Sequence, residues 1–560
     1  MAMPPSINWR HRGSFCVNFA SWLLKHEEMK KLFHRLIPTL WVWGAFSTGS
    51  PGATVTWDGS TSGNWATSTN WQGNAVPVAS DQLVFPATGV TTLIMVNNLP
   101  AGTTFNRMTF AQPGYELTGN AVTMDVASAT VPRIDVTHTT GESLVNVPLT
   151  VSSPLTLSAA AGGRLHLGSL ADISFGADGL TLSGAGTIEL DGTTSGTGNV
   201  VMSGGGTYIF DASQNATGTY SLLSGGLTML ISSIDGPLVT SSGTSFNSIR
   251  GTVNGNATLS GDVTIGIELT VNGNLAFSTT TTTRVVEYSL SGTTPGLNYD
   301  TITVSGNVTS DTFRMMLDLT QTFPVGTPFV LIDKTGAGAI SNTSKFLTST
   351  GATINEGTRA IYGTTALVFS YVGGTGNDFT ATVANNLPSF STTVADQVIS
   401  EDGSTSALAF TVADADIAAG SLTLTASSSD TAVVPVSGVV FGGSGANRTV
   451  SVTPAPNANG SAVITINLSD GSDTVSTSFT VTVNAVNDQP TISTINDQSI
   501  NEDANTGDLA FTIGDVETAA TALTVTASSS NTTLIPLANI TFGGSGANRT
   551  VRVTPAAKAS

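Results

Sequence analysis

One cysteine, Cys16, occurs in 560 residues, so no intrachain disulfide can form and no paired-thiol metal knuckle exists. Charge is scarce as well: Asp, Glu, Lys and Arg make up 10% of the chain. Basic residues are scarcest, with 19 Lys and Arg against 38 Asp and Glu, and a net charge of −19. That deficit argues against nucleic acid and anionic membranes as partners, since both are gripped through cationic contacts. No HExxH, GxSxG, P-loop or CxxC motif occurs, which removes the common catalytic signatures without excluding every enzyme. Helical periodicity is absent after Ala53. The main apolar run, residues 36–46, is broken by Pro38 and Thr39 and is too short for an integral membrane span. Gly, Ser, Thr and Asn are abundant, and they cover strand faces and turns that other proteins coat with Lys and Glu.

The short apolar run has a meaning of its own. Met29-Lys30-Lys31 precedes it and small residues follow from Ser47 to Ala53, the layout of a secretory signal. Cleavage fits after Gly52, with Ser50 at −3, or after Gly49 or Ala53. Residues 1–53 are therefore expected to be a leader and signal peptide, with residues 1–28 an upstream addition to a true start at Met29. The competing reading is an amphipathic helix over residues 19–36. Export would carry a chain without thiols and with 13 basic against 36 acidic residues to the extracellular side.

One segment occurs twice, 101 residues apart. Ser400-Glu401-Asp402 returns as Asn501-Glu502-Asp503, and FGGSGANRTV at 441–450 returns unchanged at 542–551. A repeat of about 100 residues is the size of one domain. Ile464, Ile466 and Leu468 alternate with Thr465 and Asn467, and Phe479, Val481 and Val483 with Thr480 and Thr482. Period two with Gly and Asp-Gly turns predicts a two-sheet sandwich over 385–487. The copy at 488–560 stops before the counterparts of 460–483. It is expected to be an incomplete sandwich in a truncated chain.

The linker Val486-Asn487-Asp488-Gln489-Pro490, with Asp414-Ala415-Asp416 inside the first copy, resembles the tandem cadherin-like or immunoglobulin-like repeats of bacterial surface proteins. The resemblance implies structural calcium at the joints. Glu401, Asn487, Asp488 and Asp515, with Glu517, would hold it between the two copies. Asp414, Asp416 and Asp470 would face the preceding linker, Asn385-Asn386-Leu387-Pro388. The Leu-Asp-Arg-Glu motif of animal cadherins is missing. Residues 385–490 carry nine Asp and Glu against one Arg, an imbalance that either solubilises the surface or calls for a cation.

Residues 54–290 hold short alternating segments every 8 to 12 residues, and Asn254-Gly255-Asn256 recurs as Asn272-Gly273-Asn274. Loose repeats of short strands with glycine turns fit a parallel β-solenoid; a stack of sandwiches is the rival. Residues 198–230 resemble the autotransporter-associated β-strand repeat of bacterial passenger proteins, and residues 56–85 resemble the start of such passengers. Those opening residues contain Trp57, Trp65 and Trp71, expected to cap the first rung rather than to form a sugar platform. Residues 291–384 read as a β-rich transition or closing region. Within it, Gly373-Gly374-Thr375-Gly376-Asn377-Asp378 comes close to the calcium-binding nonapeptide, but it occurs once and reads as a tight turn.

The whole is expected to be all-β: a β-solenoid followed by tandem sandwich modules. The function expected of such a chain is that of a secreted or cell-surface adhesive or structural protein, with a cell-surface, matrix or polysaccharide ligand. The alternative is a solenoid polysaccharide lyase or hydrolase with accessory modules, recruiting Arg164, Asp172, Asp178, Glu189 or Asp191 along one face. The two histidines after the leader, His138 and His166, lie in separate segments, and His166, between Leu165 and Leu167, is expected to point outward.

Overall fold

The computed structural model describes residues 52–126, 130–278, 284–311, 313–337, 340 and 346–558. The expected leader and signal peptide up to residue 51, with Cys16 and the alternative amphipathic helix, lie outside the described residues. The chain is nearly all β, with 47% of residues in strands and 2% helical. No helix among the described residues is long and apolar enough to cross a membrane.

The N-terminal part is a parallel solenoid. One twelve-stranded sheet runs from Thr54–Thr56 to Val308–Ser310. A second parallel face carries Glu142–Val145, Arg164–Leu167, Thr187–Leu190 and Thr207–Phe210 side by side, and a shorter five-stranded sheet forms a third. Register explains the alternation in the sequence. Leu155, Leu180, Val200, Tyr220 and Leu238 stack in line across successive rungs, and all are buried. Their neighbours face out, so each rung buries every second residue against the rungs above and below.

The corners are tied by amide ladders. Asn272 Nδ2 donates to Asn254 Oδ1 at 2.7 Å, and the backbone N–H of Asn274 donates to Asn256 Oδ1 at 2.9 Å. The recurring Asn-Gly-Asn is thus a rung corner stacked on its copy. Glycine is required where the corners touch: a Cβ on Gly236 would lie 1.8 Å from the Gly218 carbonyl oxygen.

The first rung is closed by the tryptophans, each 0% exposed. Trp57 and Trp65 both meet Trp71 edge-on, with centroids 5.0 and 5.8 Å away. Trp57 Nε1 donates to the Thr92 carbonyl and Trp71 Nε1 to that of Trp65. Rings so covered have no face free for a sugar.

Parallel pairing runs past residue 290, through Leu275–Phe277 with Val308–Ser310 and Val285–Leu290 with Arg314–Leu319. Antiparallel pairing begins where Pro328–Lys334 meets Asp378–Ala384, and the hairpin Arg359–Tyr362 and Thr365–Gly373 completes the closing layer. The Gly-rich phrase is a turn between Thr365–Gly373 and Asp378–Ala384. Asp378 accepts from the backbone N–H of Lys334 and of Thr375 and from the Thr375 hydroxyl, so protein donors occupy its carboxylate.

One strand, Asp262–Val271, is shared. Its first half pairs with Val285–Leu290 and its second with Thr301–Val304, so this face forks near Gly266. A cavity of 550 Å³ opens at the fork, lined in part by Tyr288 and Asp300. Burial pushes the Asp300 carboxyl up to about 6, against a hydrogen bond from the Ser289 N–H that opposes the rise.

The first sandwich packs Ser389–Thr392, Leu408–Ala413, Asn447–Val452 and Val439–Ser444 against Gln397–Ser400, Thr474–Asn484, Gly460–Ser469 and Thr423–Ser428. Phe410, Val450, Ile464, Ile466, Phe479 and Val481 lie in its core. The repeated decapeptide is a hairpin turning at Gly445-Ala446. Its arginine reaches across the module: Arg448 donates to the carbonyls of Ala419 and Leu422, and Arg549 to that of Ala520.

The second copy has one four-stranded sheet, with Phe511, Ile513 and Val551 as its buried apolar residues. The counterparts of Gly460–Ser469 and Thr474–Asn484 do not occur in the chain. The consequence is local: residues matching Thr423–Ser428 and Gln397–Ser400, which pair with those two strands, are not strands in the second copy.

Two outcomes follow from these cores. Residues 385–490 melt cooperatively on their own, whereas 491–560 alone give no cooperative transition, because one sheet cannot cover its apolar face. A sharp monomeric melt of the shorter piece would contradict this. For Asp300, the folded carboxyl titrates above its unfolded value, so its burden on stability is absent at pH 4 and complete above about pH 6. Asp300→Asn therefore raises the melting temperature at pH 7 and changes it little at pH 4; an equal shift at both pH values would refute the assignment.

Candidate metal-binding joints between modules

The two joints are built on the same frame. Pro388 precedes strand Ser389–Thr392 and Pro490 precedes Thr491–Ile492, and these strands pair with the matching ends Ala413 and Gly514. On this frame Asn386 corresponds to Asp488, and Asp416 to Glu517. The backbone contact is shared, since Asn386 N–H donates to Asp416 Oδ2 at 2.5 Å and Asp488 N–H to Glu517 Oε2 at 3.0 Å.

The side chains differ. At the first joint Asn386 Nδ2 donates to Asp416 Oδ1 at 2.8 Å. Asn385 Nδ2 donates to Asp470 Oδ2 at 2.6 Å and to Asp473 Oδ2 at 3.1 Å. Arg359, from the closing layer of the solenoid, pairs with Asp473 at 3.2 Å. Asp470 Oδ1 also accepts from the backbone of Ser472 and Asp473. Burial opposes ionisation of Asp470, yet these donors outweigh it and hold the carboxyl below its usual value. Asp414 Oδ1 caps the turn at Asp416 and Ile417, and its Oδ2 is buried without a hydrogen-bond partner. Amide donors thus satisfy most carboxylate oxygens of this joint, and one guanidinium pairs with one of its four acids.

At the second joint the corresponding position is an acid, and its neighbours are acids. Glu401 is 4% exposed; its Oε1 accepts from Val486 N–H at 2.6 Å, and its Oε2 is buried with no partner. Asp488 Oδ2 is likewise covered and unpartnered. Asp515 Oδ1 caps Glu517 and Thr518, and Asn487 Nδ2 folds back to the Asp488 carbonyl. Desolvation and then the charges of Glu517, Asp402, Glu401 and Asp515 push the Asp488 carboxyl up. Among the described residues no Lys or Arg forms an ion pair with any of these acids. Two covered, partnerless carboxylate oxygens and a crowd of like charges are what a hard cation with oxygen ligands would relieve.

No three of these carboxylates bring ligand atoms within 4.8 Å of one another. Calcium binds oxygen at 2.3–2.6 Å, so an ion here would draw the two modules slightly together. The candidates named from the sequence, Glu401, Asn487, Asp488, Asp515 and Glu517 for one joint and Asp414, Asp416 and Asp470 for the other, lie at those two joints. Sequence reading missed Asp402, Asp473 and Arg359. Asp473 carried a signal, as the second acid of the Ser-Asp-Gly-Ser-Asp turn.

No family model and no curated protein matches the chain. Solved structures give weak likenesses. A chimeric titin Z1Z2 tandem is 13% identical over 31% of this chain and 84% of that one, with a TM-score of 0.15. Protocadherin gamma B7 extracellular cadherin domains are 18% identical over 35% and 48%, at 0.20. An endo-fucoidan hydrolase from glycoside hydrolase family 107 is 16% identical over 41% and 40%, at 0.17. At these scores none carries a functional argument.

Exchanging the joint residues tests the contrast. Asp488→Asn gives the second joint the amide of the first, and stability becomes insensitive to chelation there. Asn386→Asp creates a calcium-dependent first joint, with a lower melting temperature in chelator that calcium restores. Scanning calorimetry of the full chain in calcium and in chelator reads both; a calcium response in Asn386→Asp no larger than that of the unmutated chain, or an unaltered one in Asp488→Asn, would refute it.

Proposed function

We propose that the chain is a secreted or cell-surface adhesive or structural protein, in which a β-solenoid stalk is followed by sandwich modules stiffened by calcium. The observation that carries this reading is the second joint: covered carboxylate oxygens from the first module and the linker face acids of the next, with no protein cation among them. An ion held there ties one module to the next, and extracellular modules of this kind need only weak sites, on the order of 10⁻⁴ to 10⁻³ M. The signal-like layout before residue 54 supports delivery to a compartment where calcium is that abundant. The acidic, thiol-free surface supports a cell-surface, matrix or polysaccharide ligand rather than nucleic acid.

The alternative, a solenoid polysaccharide lyase or hydrolase, draws on Arg164, Glu189 and Asp191. Arg164 pairs with Glu189, and Asp191 lies beside His166. Asp172 is taken up capping Thr193, and Asp178 is exposed on a turn.

Small-angle scattering of the full chain shows a longer, narrower distance distribution in calcium than in chelator. Incubation with a polysaccharide panel yields neither reducing ends nor unsaturated products. Unchanged scattering removes the calcium-stiffened stalk; product formation replaces the adhesive reading with the enzymatic one.

A further inference from the structure

One cluster on the solenoid face belongs to neither joint. Glu142, Arg164, His166 and Glu189 stand on three adjacent strands, Glu142–Val145, Arg164–Leu167 and Thr187–Leu190, with Asp191 just past the last. Register brings Glu142 opposite Arg164 and His166 opposite Glu189. These are outward positions, yet Glu189 is only 8% exposed, because Arg164 and His166 lie over it.

The ring of His166 is held at both ends. Nδ1 lies 3.0 Å from Glu142 Oε1, and Nε2 lies 2.7 Å from Asp191 Oδ2 and 4.0 Å from Glu189 Oε2. A neutral imidazole carries one N–H, so it can donate to one side only. With the N–H directed at Asp191, the Nδ1 lone pair points at the Glu142 carboxylate, an arrangement relieved by a second ring proton or by a metal ion on that side. Asp191 Oδ1 is buried with no hydrogen-bond partner, and ligand atoms of Glu142, His166 and Glu189 all lie within 4.8 Å of one another. Three carboxylates against the single Arg164 guanidinium leave two negative charges.

We propose that this cluster binds a divalent transition-metal ion of the zinc class. Glu142, His166 and Glu189 are its ligands, and Asp191, at Nε2, is a positioning residue that fixes the imidazole tautomer. Ligand atoms about 2.0–2.2 Å from a common ion stand roughly 3.0–3.6 Å apart, so the present spacing of Glu142, His166 and Glu189, all within 4.8 Å of one another, needs only side-chain adjustment. A divalent ion cancels the excess charge. Imidazole mixed with carboxylate selects zinc or its neighbours over calcium, which takes oxygen ligands. A carboxylate behind the histidine is the usual support for such a ligand. The face of the solenoid would then carry a zinc-class site chemically distinct from the calcium sites of the joints.

The test is titration of the full chain with zinc in about 1 mM calcium, which occupies weak oxygen-only sites. The expected result is one zinc per chain at this site, with affinity reduced at least tenfold in His166→Gln and in Glu189→Gln and unchanged in Asp488→Asn. Asp191→Asn weakens it by about 10–100-fold, as expected of a carboxylate behind the ligand. Circular dichroism of each metal-free variant checks folding. A second readout needs no variant: added cobalt shifts and broadens the ring protons of His166 and leaves those of buried His138, bonded to Ser143, in place. Absence of zinc binding, binding that survives both His166→Gln and Glu189→Gln, or cobalt effects confined to other histidines would reduce the cluster to an ionic ladder between rungs.

Discussion

A string of small folded units must satisfy every polar group it covers, at each rung corner and at each joint, and the chain meets this demand almost without Lys and Arg. In the solenoid, asparagine amides do the work, each donating to or accepting from the corner one rung below. In the sandwich, a single arginine holds the carbonyls of a loop that no strand pairs with. An unsatisfied buried acceptor costs about 1–3 kcal/mol, and more when charged. Where the supply of amides ends, as at Glu401 and Asp488, covered oxygens remain without donors.

That contrast gives the two joints different characters. The first is wired by Asn385, Asn386 and Arg359, which bring donors from both sides to Asp470, Asp473 and Asp416. One covered oxygen, Asp414 Oδ2, still has no donor there. The second keeps the same backbone contact but places a carboxylate where the first has an amide. On the proposed reading, one group, an amide in place of a carboxylate, separates a joint set by protein donors from one whose rigidity would follow the surrounding calcium. A stalk built so would be fixed at its base and adjustable further out.

Much of this was legible in the sequence, for identifiable reasons. The exact offset of 101 residues marked the module, and period two along 462–468 and 479–483 marked its inner faces, since one buried face forces alternation. The capping tryptophans were legible because they cluster where a solenoid has an open end. The parts that were not legible depend on rung length. Glu142, His166 and Glu189 are 24 and 23 positions apart, while neighbouring rungs later in the solenoid advance by 20 and 18. Without a constant period, no spacing rule brings them to one place. Arg448 was hidden for a related reason: the repeated decapeptide advertised itself, but its target, the loop at 419–422, has no signature. Asp473 and Arg359 meet across 114 residues and two folding units, which sequence alone does not connect.

The proposed reading rests on calcium bound at the second joint. Calorimetric titration of the full chain with calcium measures this directly. The account predicts heat of binding with a midpoint on the order of 10⁻⁴ to 10⁻³ M, abolished by Asp488→Asn. No binding heat up to several times that range, or binding that survives Asp488→Asn, would contradict it and leave these acids as surface charge.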